Sequence, residues 1–560
     1  MSENTEFARA VADAGLVWIG PHPQAVERMG SKIEARRIAA DAGVPIIPGY
    51  DESQDPADLA AAAERIGFPV LVKAAAGGGG KGIRIVHDAS GFSEALDEAM
   101  LEAEGSFGDR AMIVERYIQR PRHVEVQVVG DRHGNVIDLG TRECSVQRRY
   151  QKLLEEAPAP NLPDATRSGL RASATALART MRYDSVGTVE FIVDDETGDY
   201  FFLEMNTRLQ VEHPVTELVS GLDLVELMIR SAMGEPLPLG QADVTSTGHA
   251  IEARINAEDP AAGFFPQTGT ITHLVVPAEA RWDSGVVEGS VVSPHYDAML
   301  AKLIVSGPDR PTALACLRRA LDGLVIGGVV TNGGFHRWLV DQEPVVAGRV
   351  TTRFLDETFP PETGLPGDFD VEAAAVVAAE RWRGHRRSGS DPGPWSSLPR
   401  FSTTPHRMQR AIHLEHHSGD VVDVNVELNG DVNIDGDASG EVIRNPAVAR
   451  VGDRSVAVNV GGYTHTFRVL GRTEHWAPSA DEGHGHAGAI LSPFPSVVTE
   501  IPVAVGNHVH GGDVVIVVEA MKMLHSLRAA GPGTVAELRV AVGGQTQTNQ
   551  VLVDFEEDPT

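Results

Sequence analysis

The sequence predicts a mixed α/β protein of several domains that ends in an all-β region. Patterns of strands and helices alternate from about residue 51 to 240 and continue over residues 245–365. Residues 405–475 change to short strands separated by Asn-Gly and Gly-Gly turns. From about residue 489 the chain contains an internal repeat, which is typical of a unit built from two similar halves.

The composition limits the classes of function. A chain of 560 residues with 42% hydrophobic and 22% charged residues is long enough for roughly three or four globular domains. The net charge of −30 argues against a surface that binds nucleic acid or an anionic membrane. The sequence has no apolar run of about 18 residues and no basic start followed by an apolar core. We therefore expect a cytoplasmic protein without a membrane segment.

The first part of the chain is predicted to contain short α/β elements. Leu16–Gly20 is apolar enough for a buried strand, and Ser31–Ala42 has the pattern of a helix. Phe68–Lys73 is predicted as a strand that leads into a run of glycines. The alternation in His123–Val129 indicates a strand of a sheet.

The run of glycines lies between Lys73 and Lys81, two of only six lysines in the chain. Consecutive glycines allow backbone N–H groups to approach a polyphosphate without interference from Cβ atoms. A chain that otherwise uses arginine is expected to keep lysine where a compact charge or a nucleophilic amine is needed. Lys32 and Lys73 are therefore predicted to contact phosphate oxygens, beneath a glycine lid that includes Gly78, Gly79 and Gly80.

A second cluster of polar residues follows the apolar segment Phe201–Leu203. If this segment stays extended, its alternate residues lie on one face. Carboxylates, an amide and a guanidinium on one face suit a magnesium–nucleotide and anion site. The residues concerned are Glu204, Asn206, Arg208, Gln210 and Glu212, and Glu190 in a neighbouring predicted strand is a candidate second metal carboxylate.

The repeat relates Pro495–Gly506 to Pro532–Gly543 with a constant offset of 37 residues. It predicts two hairpin units that pack into one flattened β-barrel with quasi-twofold symmetry. Lys522 lies between the two copies, within the segment V-E-A-M-K-M, where a connecting hairpin is expected to expose it to solvent.

The A-M-K-M signature in this repeat resembles that of biotin carboxyl carrier domains. The resemblance implies that Lys522 forms an amide with biotin, added by a biotin protein ligase. Arginine is not expected at this position, because its guanidinium is always protonated and its lone pair is delocalised.

The segment Glu204–Glu217, E-M-N-T-R-L-Q-V-E-H-P-V-T-E, is similar to that of biotin carboxylases of the ATP-grasp superfamily, and the likeness runs from residue 2 to about 360. For ATP, the resemblance implies contacts with the phosphates or their surroundings at Lys32, Lys73 and His123, and it places Glu115 and Ile118 near adenine. It implies a magnesium or manganese site at Glu190, Glu204 and Asn206.

The same resemblance implies where the second substrate and the chemistry are placed. Bicarbonate is expected at Lys152, Arg208, Gln210 and Val211. Glu212 is expected to be its general base. Arg281 is expected to stabilise the enolate of biotin.

The resemblance also implies an order of domains. A Rossmann-like N-terminal domain normally precedes the ATP-grasp core, and this chain is expected to lack the first part of it. The expected boundaries are 1–30 for the remnant of that domain, 31–240 for the ATP-grasp domain, 241–365 for the biotin carboxylase C-terminal domain, 366–404 for a connection, 405–480 for a β-rich subunit-docking domain, 481–488 for a linker and 489–556 for the carrier domain.

Together these resemblances imply the α subunit of a biotin-dependent acyl-CoA carboxylase, a ligase that carboxylates biotin on its own carrier domain. A separate carboxyltransferase β subunit is expected to complete the reaction in a hetero-oligomer. Two alternatives stay open: the α chain of another biotin enzyme, such as a two-chain pyruvate carboxylase, and an inactive carrier or scaffold. The acyl-CoA is not predicted, because the partner would bind it, and Lys302 is given only a structural role.

Overall fold

The computed structural model describes residues 1–75, 82–359, 374, 375, 378, 379, 410–417, 421–426, 432–434, 449–451, 454–470, 489–521 and 523–556. The predicted lid residues Gly78, Gly79 and Gly80, together with Lys81, Lys522 and the linker 481–488, lie outside this range. The chain forms two compact units. Unit 1 consists of Met1–Arg254, Ile304–Leu317 and Asp341–Phe359, and unit 2 of Ile255–Leu303, Arg318–Val340 and Pro360–Thr560.

Unit 1 begins with three helices, α1 (Thr5–Asp13), α2 (Pro23–Gly30) and α3 (Lys32–Asp41). The predicted helix over Ser31–Ala42 is confirmed, and the Ser31 hydroxyl accepts a hydrogen bond from the backbone N–H of Glu34. The strand predicted at Leu16–Gly20 is wrong, because this segment is irregular and Leu16 and Val17 are more than 60% exposed. A short apolar run forms a strand only where another strand pairs with it, and no described strand does so here.

A small four-stranded sheet follows, in the strand order β1-β4-β2-β3. Two helices pack on it through an apolar core that includes Leu59, Val72 and Leu96. The predicted strand at Phe68–Lys73 is confirmed with slightly shifted ends. The elements are β1 (Gly49–Tyr50), α4 (Pro56–Ile66), β2 (Val70–Ala74), β3 (Ile83–Val86), α5 (Phe92–Phe107) and β4 (Met112–Arg116).

A larger antiparallel sheet forms the centre of unit 1, where its strands run in the order β10-β7-β6-β5-β8-β9. Val124, Val126 and Val128 of β5 point to one face and pack against Leu170 and Leu177 of α6. Because side chains alternate along a strand, His123, Glu125 and Gln127 point to the opposite face. The elements are β5 (Pro121–Gly130), β6 (Val136–Arg148), β7 (Gln151–Ala157), α6 (Asp164–Thr180), β8 (Val186–Asp194), β9 (Tyr200–Asn206), α7 (His213–Ser220), α8 (Leu224–Ala232) and β10 (His249–Asn256).

Residues 258–358 add short hairpins and helices. Strands β11 and β12, β13 and β16, and β14 and β18 form antiparallel pairs. The elements are β11 (Glu258–Asp259), β12 (Phe265–Pro266), β13 (Gly269–Thr270), β14 (His273–Val275), β15 (Arg281–Ser284), β16 (Val291–Val292), β17 (Met299–Gly307), α9 (Arg310–Gly323), β18 (Val325–Gly327), α10 (Gly333–Leu339), α11 (Glu343–Val346) and α12 (Phe354–Thr358).

A six-stranded antiparallel sheet follows in unit 2, in the order β21-β20-β19-β24-β23-β22. Its core includes Leu414, Val424, Val456 and Phe467. The strands predicted at Val421–Glu427, Ser455–Asn459 and Thr464–Val469 are confirmed with small shifts at their ends. The elements are β19 (Arg410–His416), β20 (Val421–Val426), β21 (Val432–Ile434), β22 (Ala449–Val451), β23 (Ser455–Val460) and β24 (Tyr463–Val469).

The last part of unit 2 consists of two four-stranded sheets, ordered β25-β32-β30-β27 and β29-β28-β26-β31. The predicted repeat is confirmed by hydrogen bonds that obey the offset of 37 residues: the N–H of Gly506 donates to Val535 O, and the N–H of Gly543 donates to Val498 O. The elements are β25 (Ala489–Leu491), β26 (Ser496–Glu500), β27 (His508–Val509), β28 (Val514–Ala520), β29 (Met523–Arg528), β30 (Gly533–Leu538), β31 (Gln545–Thr546) and β32 (Val551–Glu556).

The hairpin between the two copies is also confirmed. Strands β28 and β29 pair as far as Ala520 and Met523, and Met521 has a positive φ of 49°, which is uncommon outside turns. Among the helices that the structure describes, none is long and apolar enough to cross a membrane.

A buried ion pair in unit 1 leads to a first prediction, about stability. Both oxygens of Glu156 accept hydrogen bonds from Arg310 at 2.6 and 3.0 Å, and His249 Nε2 lies 2.6 Å from Glu156 Oε2. Burial alone would raise the pKa of Glu156, but these contacts outweigh it and lower the pKa. We expect Glu156→Gln to destabilise the protein by about 3 kcal/mol at neutral pH, because Arg310 loses its buried counter-charge.

The pH dependence of this loss follows from the lowered pKa of Glu156. The carboxylate stabilises the folded state above the pKa it has when unfolded, about 4.3, and this contribution disappears as the pH falls through the folded pKa. Thermal unfolding of wild type and variant should therefore differ most at neutral pH and converge in acid. Glu343→Gln, which breaks the exposed Arg349–Glu343 pair, serves as the control and should leave the midpoint unchanged. Equal midpoints for Glu156→Gln and wild type at neutral pH would contradict the prediction.

Candidate active site

The candidate site lies on the polar face of the large sheet in unit 1. Glu125 of β5 is paired in register with Glu190 of β8, and Glu190 with Glu204 of β9. Three carboxylates thus lie side by side across neighbouring strands. Like charges at such spacing repel one another, so the arrangement needs cations to be stable.

Lys152 of β7 supplies one of these cations. Its Nζ donates to Glu125 Oε2 at 2.8 Å, to Glu190 Oε1 at 2.9 Å and to Glu212 Oε1 at 2.6 Å. Burial alone would lower the pKa of Lys152, but the three carboxylates outweigh it and raise the pKa well above its ordinary value. Lys152 is therefore charged at neutral pH, as expected of a residue predicted to bind an anion.

The chain that follows β9 differs from the prediction of an extended segment up to Glu212. Strand β9 ends at Asn206, and α7 begins at His213 with Pro214 in its first turn. Proline is well suited to the first turn of a helix, so the chain cannot stay extended this far. The loop nevertheless returns Gln210 and Glu212 to the site, where both are buried and Gln210 Nε2 donates to Glu190 Oε1 at 2.8 Å.

Glu212 accepts hydrogen bonds from two cationic side chains, Lys152 and Arg254. In addition to the contact with Lys152, its Oε2 accepts a hydrogen bond from Arg254 Nη2 at 2.9 Å. Burial alone would raise the pKa of Glu212, but Lys152, Arg254 and Arg142 outweigh it and hold the pKa well below its ordinary value. Glu212 is thus an ionised, buried carboxylate, which a proton acceptor must be before it reacts.

Two arginines of this site were missed at the level of sequence. Arg254 of β10 contacts Glu212 and also Glu155, to which its Nε donates at 2.6 Å. Arg142 of β6 is completely buried, forms an ion pair with Glu125 and donates to Gln210 Oε1 at 3.0 Å. For Arg254, the charged segment E-A-R-I-N-A-E-D inside an apolar pattern was an available signal. For Arg142 we find none.

The region predicted for ATP contains a second group of cations. Lys73 Nζ lies 2.6 Å from Glu115 Oε2, and Arg36 also forms an ion pair with this carboxylate. Burial, and then the charge of Lys73, lower the pKa of Lys32. Two lysines close enough to repel each other are stabilised by an added anion such as a polyphosphate. Ile118 is buried just beyond β4.

The residues predicted for the metal also lie together. Asn206 Nδ2 donates to Glu190 Oε1 at 2.8 Å, and the ligand atoms of His123, Glu125 and Glu190 lie within 4.8 Å of one another. Burial, and then the charge of Glu190, raise the pKa of Glu204. A cation between these carboxylates would relieve that repulsion. Carboxylate and amide oxygens are the ligands that Mg²⁺ and Mn²⁺ prefer, so the donor set fits such an ion.

The remaining predicted residues have the following surroundings. Arg208 Nη2 donates to Asn206 Oδ1 at 3.2 Å, and Val211 lies in the turn before α7. In unit 2, Arg281 forms a two-pronged ion pair with Asp283, with N–O distances of 2.9 Å, and Lys302 Nζ lies 3.4 Å from the same carboxylate. Lys302 thus shares a carboxylate with Arg281, and its structural role stays a prediction.

Comparison with known families divides the chain into three matched regions. The model of the carbamoyl-phosphate synthase L chain ATP-binding domain matches residues 31–239. The model of the biotin carboxylase C-terminal domain matches residues 252–357. The model of biotin-requiring enzymes matches residues 488–555.

Relatives match over almost the whole chain. The α subunit of mitochondrial methylcrotonoyl-CoA carboxylase from Arabidopsis thaliana is 38% identical over 611 residues, covering 99% of this chain and 83% of that protein. The propionyl-CoA carboxylase α chain from Ruegeria pomeroyi is 38% identical over 606 residues, covering 99% of this chain and 88% of that protein. Because these relatives include mitochondrial proteins, the cytoplasmic location stays a prediction.

Solved structures agree with these relatives. Biotin carboxylase from Campylobacter jejuni, described as a β-γ-ATP complex, has a TM-score of 0.62 and 43% identity, covering 64% of this chain and 80% of that one. The biotin carboxylase domain of 2-oxoglutarate carboxylase from Hydrogenobacter thermophilus, with MgADP and bicarbonate, has a TM-score of 0.61 and 42% identity, covering 64% and 79%. The chain therefore belongs to the family of biotin-dependent acyl-CoA carboxylase α subunits, in which an ATP-dependent biotin carboxylase is joined to a biotin carrier.

Proposed function

We propose that unit 1 activates bicarbonate with ATP and carboxylates biotin, and that the hairpin at Lys522 carries the carboxyl group to a separate carboxyltransferase subunit. The observation that carries this proposal is the contact of Lys152 with Glu125, Glu190 and Glu212, extended by the pairing of Glu212 with Arg254. An ionised carboxylate next to fixed cations in a buried site supports the role of base in a reaction between two anionic substrates.

The nucleotide end of the site is assigned to residues of the first half of unit 1. Lys32 and Lys73 would neutralise phosphate oxygens, and His123 would lie beside them. Glu115 and Ile118 would approach adenine, and Gly78, Gly79 and Gly80 would cover the phosphates. The closeness of Lys32 and Lys73 supports these roles.

Glu190, Glu204 and Asn206 would hold magnesium or manganese. The ion would supply positive charge that offsets the charge of the phosphate groups and of these carboxylates. The charge of Glu190, which helps to raise the pKa of Glu204, supports this assignment, because a divalent cation removes the cost of holding both carboxylates ionised.

Bicarbonate would bind at Lys152, Arg208, Gln210 and Val211. Glu212 would accept its proton as the bicarbonate oxygen attacks the terminal phosphorus of ATP and the bond to ADP breaks. The sequence resemblance gives Arg281 the role of stabilising the enolate of biotin. Arg254 is a second candidate for this role, because it contacts the proposed base Glu212. Lys522 would hold biotin through an amide formed by a biotin protein ligase. Biotin would supply a ring nitrogen that gives up its proton and takes the carboxyl group, while phosphate leaves.

The domain boundaries predicted from the sequence, the flattened barrel of the carrier and the docking of a β subunit on the sheet formed by β19–β24 belong to the same proposal. The family matches at 31–239, 252–357 and 488–555 support the boundaries predicted for the ATP-grasp domain, the biotin carboxylase C-terminal domain and the carrier domain, respectively. The relatives include methylcrotonoyl-CoA and propionyl-CoA carboxylases, so they leave open which acyl-CoA the complex carboxylates. A panel of acyl-CoA substrates, tested with the co-purified β subunit, identifies it.

The proposal is tested by ATP hydrolysis that depends on bicarbonate and is stimulated by free biotin. We expect wild-type protein to show both dependences, and Glu190→Gln to require at least about tenfold more Mg²⁺ for half-maximal rate, because a metal carboxylate is lost. Glu196→Gln, on the exposed turn after β8, is the matched control and should need wild-type Mg²⁺. Hydrolysis that ignores bicarbonate, or an unchanged Mg²⁺ requirement in Glu190→Gln, would count against it.

A further inference from the structure

Glu155 of β7 has no role in the mechanism described above, although it contacts its centre. Strands β7 and β10 are antiparallel, with Glu155 opposite Glu252 and Leu154 opposite Ala253. Arg254 therefore emerges next to Glu155, and its Nε donates to Glu155 Oε1 at 2.6 Å while its Nη2 donates to Glu212 Oε2 at 2.9 Å. One guanidinium thus bridges two buried carboxylates.

A shift in strand register brings these groups to the same face. The pairs Val146–Leu154 and Gln147–Lys152 leave one extra residue, Leu153, in β7. Such a bulge reverses the usual alternation of side chains. Lys152 and Glu155 therefore both reach the charged cluster although they are three positions apart.

The burial of Glu155 is unfavourable for the stability of the fold. This residue is completely buried, and its Oε2 has no hydrogen-bond partner in the part of the chain that the structure describes. A buried carboxylate with one unsatisfied oxygen lowers stability, and a neutral residue of similar shape would cost less. Residues of this kind are found where function requires them.

We infer that Glu155 is a positioning residue, which holds the guanidinium of Arg254 by its Nε so that the Nη2 side faces Glu212 and the reacting groups. This inference rests on the proposed function, and it deepens it by naming what orients Arg254. A guanidinium presents its donors in a fixed plane, so a carboxylate on Nε sets the direction of the other nitrogens.

The charged groups around Glu155 make its action dependent on pH. Burial is the largest influence, and with repulsion from Glu212 it raises the pKa of Glu155 to about 7, despite attraction by Arg254 and Lys152. Glu252 lies opposite Glu155 on β10. The charge of Glu155 also helps to raise the pKa of the Cys144 thiol on β6, after burial and the charge of Glu125. Because the pKa is raised, the carboxylate form grows as the pH rises through neutrality, and with it the hold on Arg254.

The test compares wild type with Glu155→Gln in bicarbonate-dependent, biotin-stimulated ATP hydrolysis at a constant concentration of bicarbonate ion. We expect Glu155→Gln to lower kcat/KM for free biotin by about ten- to a hundredfold at alkaline pH, with KM for ATP unchanged. The ratio of wild type to variant should shrink between about pH 8 and 6, because wild-type Glu155 becomes protonated and resembles the amide.

A thermodynamic readout separates positioning from support of the fold. The raised pKa means that the carboxylate costs stability above the pKa of the unfolded state, so Glu155→Gln should unfold at the wild-type temperature or higher. Glu156→Gln is the matched control on the next position of β7, where it faces Arg310 instead. It should unfold at a lower temperature yet keep the wild-type pH profile.

A double variant completes the design. If Glu155 acts through Arg254, adding Glu155→Gln to Arg254→Lys should cost less than about twofold more. Full additivity, an unchanged kcat/KM in Glu155→Gln, or a loss that only follows a lower unfolding temperature would each overturn the inference while leaving the proposed function intact. Wild-type protein without bicarbonate-dependent hydrolysis would overturn both.

Discussion

Replacing Lys522 with arginine is expected to remove covalent biotin from the protein and to abolish carboxylation of acyl-CoA by the complex with its β subunit. Attachment needs a lysine amine that loses its proton and attacks an activated acyl group, and the guanidinium of arginine stays protonated. Strands β28 and β29 pair up to Ala520 and Met523, on either side of this residue, which supports it as the attachment point. Intact mass and streptavidin binding, after co-expression with a biotin protein ligase, measure the outcome.

The same variant must keep the chemistry of unit 1. Bicarbonate-dependent ATP hydrolysis stimulated by free biotin should equal that of wild type, because free biotin replaces the carrier. Lys302→Arg is the matched control, since it replaces another of the six lysines and retains a cation beside Asp283. It should remain fully biotinylated. Biotin found on Lys522→Arg protein would refute the assignment, and loss of hydrolysis with free biotin would indicate damage beyond the carrier.

The carrier could be predicted from the sequence because its information is local and duplicated. The 37-residue offset fixes corresponding strands, and the structure repeats even an irregularity: the register shifts between Val498 and Glu500 in β26 and between Val535 and Glu537 in β30. A repeated departure from regular pairing reflects a repeated sequence pattern. Such agreement between levels is what makes a prediction reliable.

The catalytic cluster could be predicted only in part. Glu190, Glu204 and Asn206 belong to adjacent strands, and a motif was enough to associate them. Arg254 is 42 positions from Glu212 in sequence, and its place in the site depends on the pairing of β7 with β10, which no local pattern reveals. The error at Leu16–Gly20 has the opposite cause, since an apolar run alone does not supply a pairing partner.

Glu212→Gln is expected to reduce bicarbonate-dependent ATP hydrolysis by about 10²- to 10⁴-fold, the range for loss of a general base. The amide keeps the size and one acceptor for Lys152 and Arg254, but it cannot take a proton from bicarbonate. Because Lys152 and Arg254 hold the pKa of Glu212 well below its ordinary value, wild-type Glu212 stays ionised throughout the neutral range. The defect should therefore be constant between about pH 6 and 9, unlike that of Glu155→Gln.

Stability must be separated from this catalytic loss. The lowered pKa means that ionised Glu212 stabilises the fold at neutral pH and that this contribution is lost only in acid, so the variant is also expected to unfold at a lower temperature. Rates should be compared well below both midpoints and per folded molecule. Glu226→Gln, which disrupts the exposed Arg230–Glu226 pair on α8, should retain wild-type rates.

If folded Glu212→Gln hydrolysed ATP within about threefold of wild type, the proton from bicarbonate would have to go elsewhere. The base would then have to be sought among the other carboxylates that Lys152 contacts, Glu125 and Glu190.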